Sequence, residues 1–96
     1  MILNKILNKF IDKKIEKLGF HKENDNEFRV EYTRKNRQYK YVQVVSILHK
    51  QSGKHIIQSY DKYSFDKDGV GNTCVGLTYT ETKLFLKKMK YKKWKS

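Results

Sequence analysis

The sequence predicts a small α+β domain, and three observations carry that expectation. Apolar residues recur at helical spacing at both ends of the chain, over residues 2–18 and 79–94. Between these stretches the period falls to two, broken by short polar segments that suit antiparallel hairpins. The 96 residues are the length of one domain, so 1–96 is expected to form a single unit with a basic end over 83–96. The expected order is α-β-β-β-(β)-α: an antiparallel sheet of three to four strands, with the N- and C-terminal helices packed on one face.

Residues 2–18 repeat Leu3, Ile6, Leu7, Phe10, Ile11, Ile15 and Leu18 at spacings of three and four. The stripe predicts an amphipathic helix that buries these side chains and turns Lys5, Lys9, Asp12, Lys13, Glu16 and Lys17 outward. Gly19 stands where a left-handed C-terminal cap is wanted, and Phe20 is placed to fold back on the last turn. Residues 21–26, His-Lys-Glu-Asn-Asp-Asn, read as a polar loop.

From Glu27 to Thr33, Phe28, Val30 and Tyr32 alternate with polar residues, the pattern of a half-buried strand. A turn at Lys35-Asn36-Arg37 leads to a second strand over about Gln38–Leu48. Its second half is apolar on both faces, which places it inside the sheet and covers both sides there. The loop 49–54, with Gly53 in the turn, joins it to a third strand over His55–Tyr60. A polar loop over 61–72 follows, and Thr73–Leu77 reads either as a short fourth strand or as an extended lead-in to the next helix. Thr78 and Glu81 stand in capping-box spacing. The helix they start is expected to run from Tyr79 to about Trp94.

Charge dominates the composition. There are 22 Lys+Arg against 10 Asp+Glu, a formal net charge of +12, and all but Arg29, Arg34 and Arg37 of the basic residues are Lys. Residues 83–96 carry seven of those Lys and no acid, whereas residues 61–82 are net acidic. A bias toward Lys, Ile, Asn and Tyr is also what an AT-rich genome produces, so phage or mobile-element origin fits the composition. The charge attracts polyanions whatever its origin. The mean hydropathy of −0.87 is low, but 14% aromatic residues argue against a disordered chain. The single cysteine, Cys74, excludes an intrachain disulfide and suits a reducing, cytoplasmic setting. No apolar run approaches the ~18 residues of a membrane span, and Met1–Phe10 lacks the apolar core of a cleavable signal, so no membrane partner is expected.

The clearest constellation is the basic C-terminus. Lys87, Lys88, Lys90, Lys92, Lys93 and Lys95 interleave with Tyr91 and Trp94, a combination that tracks phosphates and stacks on bases. Lysine is a point charge without the planar fork of arginine, so reading of base sequence is not implied. The first hairpin adds Arg29, Arg34, Arg37 and Lys40 among Tyr32, Tyr39 and Tyr41. The bland alternatives are a solvated last helical turn, favoured by the helix dipole, and ordinary cross-strand ion pairing.

His49 and His55 flank their hairpin loop and are expected to lie opposite each other. Such a pair suits acid–base cleavage of RNA or half of a metal site, with Lys50, Lys54 and Ser52 nearby. No third metal ligand is spaced to join them. Asp66-Lys67-Asp68-Gly69 begins like a calcium loop, but Leu77 stands where the closing Glu belongs. The glycines at 69, 71 and 76 are out of frame for a dinucleotide or phosphate loop. No cofactor or metal is therefore expected, and Cys74 reads as a buried structural thiol.

The α-β-β-β-α order resembles the double-stranded-RNA-binding fold and the small toxin ribonucleases of the HicA family, which share it. Leu18-Gly19-Phe20 is similar to the Gly-Phe that follows the first helix in HicA-like proteins. The pattern departs elsewhere: no histidine lies in the first half of the expected sheet, and Lys87-Lys88-Met89-Lys90 lacks the alanine of the RNA-binding Lys-Lys-x-Ala-Lys run. The resemblance implies topology, and topology does not fix function.

The expected function is that of a small, non-enzymatic nucleic-acid-binding protein that contacts backbone phosphates through the basic end and the arginine-bearing hairpin. A protein-interaction or inhibitor module is the first alternative, and a ribonuclease using His49 and His55 the second.

Overall fold

In a computed structural model, residues 2–36, 41–49, 54–62 and 74–95 are described. The protein is α+β. Helix α1 spans Ile2–Lys17, strands β1 to β4 span His21–Asp25, Arg29–Asn36, Tyr41–His49 and His55–Lys62, and helix α2 spans Tyr79–Tyr91. The four strands form one antiparallel sheet in the order β1-β2-β3-β4.

The register explains where the core sits. Val30 pairs with Ile47 and Tyr32 with Val45, and Ile47 pairs in turn with Ile57. These side chains share one face, because side chains alternate across a strand. Both helices cover that face, adding Ile11, Ile15, Leu84 and Phe85, and Phe20 completes the cluster. The Phe20 and Phe85 rings meet edge to face with centroids 5.2 Å apart, a geometry the ring quadrupoles favour. Strand β3 is interior to the sheet. Val44 and Ser46, which point away from the helices, are as buried as Val45 and Ile47, so both of its faces are covered as expected.

The helix boundaries follow their local signals. Gly19 adopts φ +97°, a conformation that favours glycine, and its amide donates to the Glu16 carbonyl at 2.9 Å. Phe20 is then delivered into the core. At α2 the capping box forms in full: the Glu81 amide donates to the Thr78 hydroxyl, and the Thr78 amide to the Glu81 carboxylate.

The structure corrects four expectations. Residues 21–25 are not loop but the edge strand β1, exposed and without an apolar side chain, with only the Lys22 and Asp25 side chains partly covered. Its register and ion pairs hold it, and its charges suit an unpaired edge. Lys35 and Asn36 belong to β2, not to a turn. Helix α2 stops at Tyr91, because Lys92 turns extended (φ −70°, ψ 143°) and the chain crosses the end of the sheet. Cys74 is exposed and bridges to Tyr60 beside β4, so the segment after it contributes one bridge and no full strand.

Helix α1 is also rotated from the expected face. Only Ile11, Asp12 and Ile15 are buried, whereas Leu3, Ile6 and Phe10 are 65%, 58% and 56% exposed. The apolar stripe is wider than the core it meets. Asp12, expected outside, is drawn in by cationic partners. The 63–73 segment, with the Asp66-Lys67-Asp68-Gly69 and glycine motifs, lies outside the described residues, as do Tyr39, Lys50 and Ser52.

Candidate nucleic-acid interface

The basic residues divide by their partners. Lys88, expected on the solvated face of α2, has no exposed surface. Its Nζ lies 3.0 Å from both carboxylate oxygens of Asp12 and 3.4 Å from Asp25. Lys92 is likewise buried and donates to Asp25, while Lys22 reaches Asp12 at 3.0 Å and Asp25 at 3.3 Å. The Tyr32 hydroxyl donates to Asp12 at 2.5 Å. Two carboxylates and three ammonium groups thus join α1, β1, β2 and α2.

Burial alone would raise the Asp12 carboxyl. Hydrogen bonds from Tyr32, Lys22 and Lys88 outweigh it and hold the group below the usual carboxylate range. Asp25 is lowered in the same way, against its own burial, by Lys92, Lys88 and Lys22. Burial and the bond to Asp12 raise the Tyr32 phenol, so it stays a neutral donor. Charge spent on this network is not free for a polyanion. Sequence phase carried a signal for it. Lys88 stands four residues after Leu84 and three after Phe85, on the core stripe of α2, whereas Asp12 falls outside the apolar stripe of α1.

Arg34 is also committed. It donates to the Leu18 carbonyl at 3.2 Å and to Gln43 at 2.9 Å, pairs with Glu81 at 2.8 Å, and lies 4.1 Å above the Phe20 ring. Arg37 and Lys40 lie outside the described residues. Lys87, Lys90, Lys93, Lys95 and Arg29 are exposed, and Tyr91 is half-buried against the core.

The exposed groups of the C-terminus meet a histidine pair. His49 and His55 stand opposite each other in the β3–β4 register, as the sequence predicts, with their Nδ1 atoms 3.4 Å apart. Only one of two such atoms donates when both rings are neutral. Trp94 stacks on this pair, 4.5 Å from His55 and 5.8 Å from His49 between centroids, at interplanar angles of 22° and 20°. Its indole N–H donates to the Met89 carbonyl at 2.9 Å, which satisfies one of the orphan groups at the end of α2. The Lys95 amide donates to the Glu27 carbonyl at 2.9 Å, beside Arg29 at the start of β2. Burial, and then the neighbouring His49, lower the His55 imidazole.

One end of the sheet therefore carries a three-ring stack whose neighbours in the chain or in register, Arg29, Lys54, Lys93 and Lys95, are exposed cations, and Lys92 Nζ lies 5.0 Å from the Trp94 ring centroid. Glu27 faces Lys95 across 3.8 Å, with both side chains more than half exposed. Such a surface holds phosphates by charge and offers rings to bases. A groove of about 960 Å³ lies elsewhere, across the sheet from β1 to β4. Its lining carries Arg34, Lys35 and Lys62 against Glu23 and Glu31, and the Arg34 charge is met by Glu81. Among the described residues no three His, Cys, Asp or Glu converge on a metal site. No helix among them is long and apolar enough to cross a membrane. No protein-family model, curated protein or solved structure matches the chain.

Proposed function

We propose that this protein binds nucleic acid through the phosphate backbone, at the end of the sheet where the C-terminal segment lies on the histidine pair. The observation that supports this reading is the Trp94–His55–His49 stack, with the exposed cations Arg29, Lys54, Lys93 and Lys95 next to its rings in the chain or in register and Glu27 facing Lys95. The reading narrows the interface relative to the run of charge in the sequence. Lys88, Lys92 and Arg34 serve the fold, and four exposed cations remain next to the stack. Lysine dominates the set, so binding follows charge and stacking and is indifferent to base sequence.

The test is titration against single- and double-stranded DNA and RNA at several salt concentrations. About four phosphate contacts give a slope of log K against log salt of about −4 on duplex and about −3 on single strands. A slope near zero, or no binding at ~0.1 M salt, overturns the reading.

A further inference from the structure

We propose that the outer face of the two-helix layer docks on an anionic lipid surface. The proposal concerns a different face from the basic tip and stands independently of it. Ile2 is 79% exposed, and Leu3, Ile6 and Phe10 are each more than half exposed. At 3.6 residues per turn these four fall within about 100° of the circumference of α1, opposite the buried Ile11 and Ile15. Monomeric proteins rarely leave such contiguous apolar surface wet without using it.

Charge and breadth select the occupant. Lys5, Lys9, Lys13, Lys14 and Lys17 are all exposed on α1, and Glu16 is the one exposed acid of either helix, because Asp12 and Glu81 are turned inward. A second copy of the chain would bring two lysine-rich faces together with little to offset them. The exposed face of α2 repeats the pairing of apolar and cationic side chains. Tyr79 and Leu86 are exposed there beside Lys83 and Lys87. A nucleic-acid backbone would take the lysines and leave the aliphatic groups in water. A bilayer surface with anionic headgroups takes both, with apolar side chains entering the acyl boundary while lysines reach the phosphates. The two chemistries already touch: Lys14 lies 4.8 Å from the Phe10 ring centroid and Lys83 5.2 Å from that of Tyr79. Lysine stems lying along apolar groups are the arrangement such an interface uses.

The experiment is co-sedimentation of the full chain with phosphatidylcholine vesicles and with vesicles containing phosphatidylglycerol, at ~0.1 M salt. Binding is expected to the anionic vesicles only. Ile6→Ser/Phe10→Ser should weaken it at least tenfold, with the far-UV circular dichroism and nucleic-acid affinity unchanged, because both side chains are exposed. Lys9→Gln/Lys13→Gln, which removes two charges and no apolar group, should weaken it by a similar factor. Failure to bind anionic vesicles overturns the proposal. Equal binding by the Ile6/Phe10 variant also overturns it, since adsorption would then be purely ionic. Self-association by sedimentation velocity, lost in the same variant, would assign the face to a second copy.

Discussion

Lys88 of α2 and Asp12 of α1 lie 3.0 Å apart although 76 positions separate them in the chain. Neither end of the pair is free. Lys88 is wholly buried, and Asp12 also accepts from Tyr32 and Lys22. The two partners are therefore unequal. Removing the carboxylate leaves a buried ammonium with only Asp25 at 3.4 Å, whereas removing the ammonium leaves Asp12 with two donors. Breaking one side of a buried pair costs ~3–5 kcal/mol when the other charge is stranded. Asp12→Asn should thus destabilise by about 3 kcal/mol. Lys88→Met, which keeps the stem's packing, should cost about 1 kcal/mol. Urea unfolding of the two variants checks this, and equal losses would contradict the asymmetry.

The same network sets the response to acid. Asp12, Asp25 and Glu81 are all held below the usual carboxylate range in the folded protein. The unfolded chain then binds protons first as the pH falls. Their stabilisation is complete above the unfolded carboxylate pKa of ~4 and is lost as pH falls through the lower folded values. Stability should be level from about pH 7 to 5 with respect to these groups, then drop steeply below about pH 4. The drop should be shallower in Asp12→Asn. A denaturant midpoint measured from pH 3 to 7 tests both points.

The elements set by local signals were legible in the sequence. The Gly19 cap, the Thr78–Glu81 box and the facing of His49 and His55 each depend on residues a few positions apart. The errors arose where distant partners decide. His21–Asp25 has no apolar residue, so no periodicity marks it as a strand. Its Lys22 and Asp25 are placed by partners on α1 and α2. The stripe of α1 showed that a helix forms but not which part of it the core covers. For the site, the end of the chain where the cations gather was readable, but their division was not. Lys88 shares the phase of Leu84 and Phe85, but a buried ammonium there makes sense only once Asp12 and Asp25 come into reach, and Lys92 looks like its exposed neighbours until Asp25 does.

That division gives a sharp contrast in binding. Lys54→Gln/Lys93→Gln removes two exposed cations at the tip and should reduce the salt slope on duplex by about 2. Affinity at ~0.1 M salt should fall at least tenfold. Lys88→Met removes one charge from the same stretch of sequence, but a buried and paired one, and should leave slope and affinity unchanged. Fluorescence anisotropy with labelled duplexes reads both. A loss with Lys88→Met equal to that of the tip variant would mean that net charge, not placement, governs binding.

The histidine pair adds a dependence on pH. The His55 imidazole is lowered by burial and then by His49, so it takes its proton below the ordinary value of ~6.5. A proton taken up by His55 adds a cation against the Trp94 ring. Phosphate binding should therefore strengthen as the pH falls below the ordinary imidazole range, with a salt slope on duplex steeper by up to ~1 once His55 is protonated than at pH 8. The sign for the fold is the opposite. A base lowered by folding opposes its own protonation, so the same proton uptake costs stability below the unfolded imidazole pKa. His55→Ala should flatten the binding profile and remove that loss while leaving Lys93 and Lys95 in place. Identical salt slopes with His55 protonated and at pH 8 would show that the imidazoles do not face the bound backbone. RNA cleavage near pH 6 that disappears in His49→Ala/His55→Ala would instead make the pair an acid–base couple and the protein a ribonuclease.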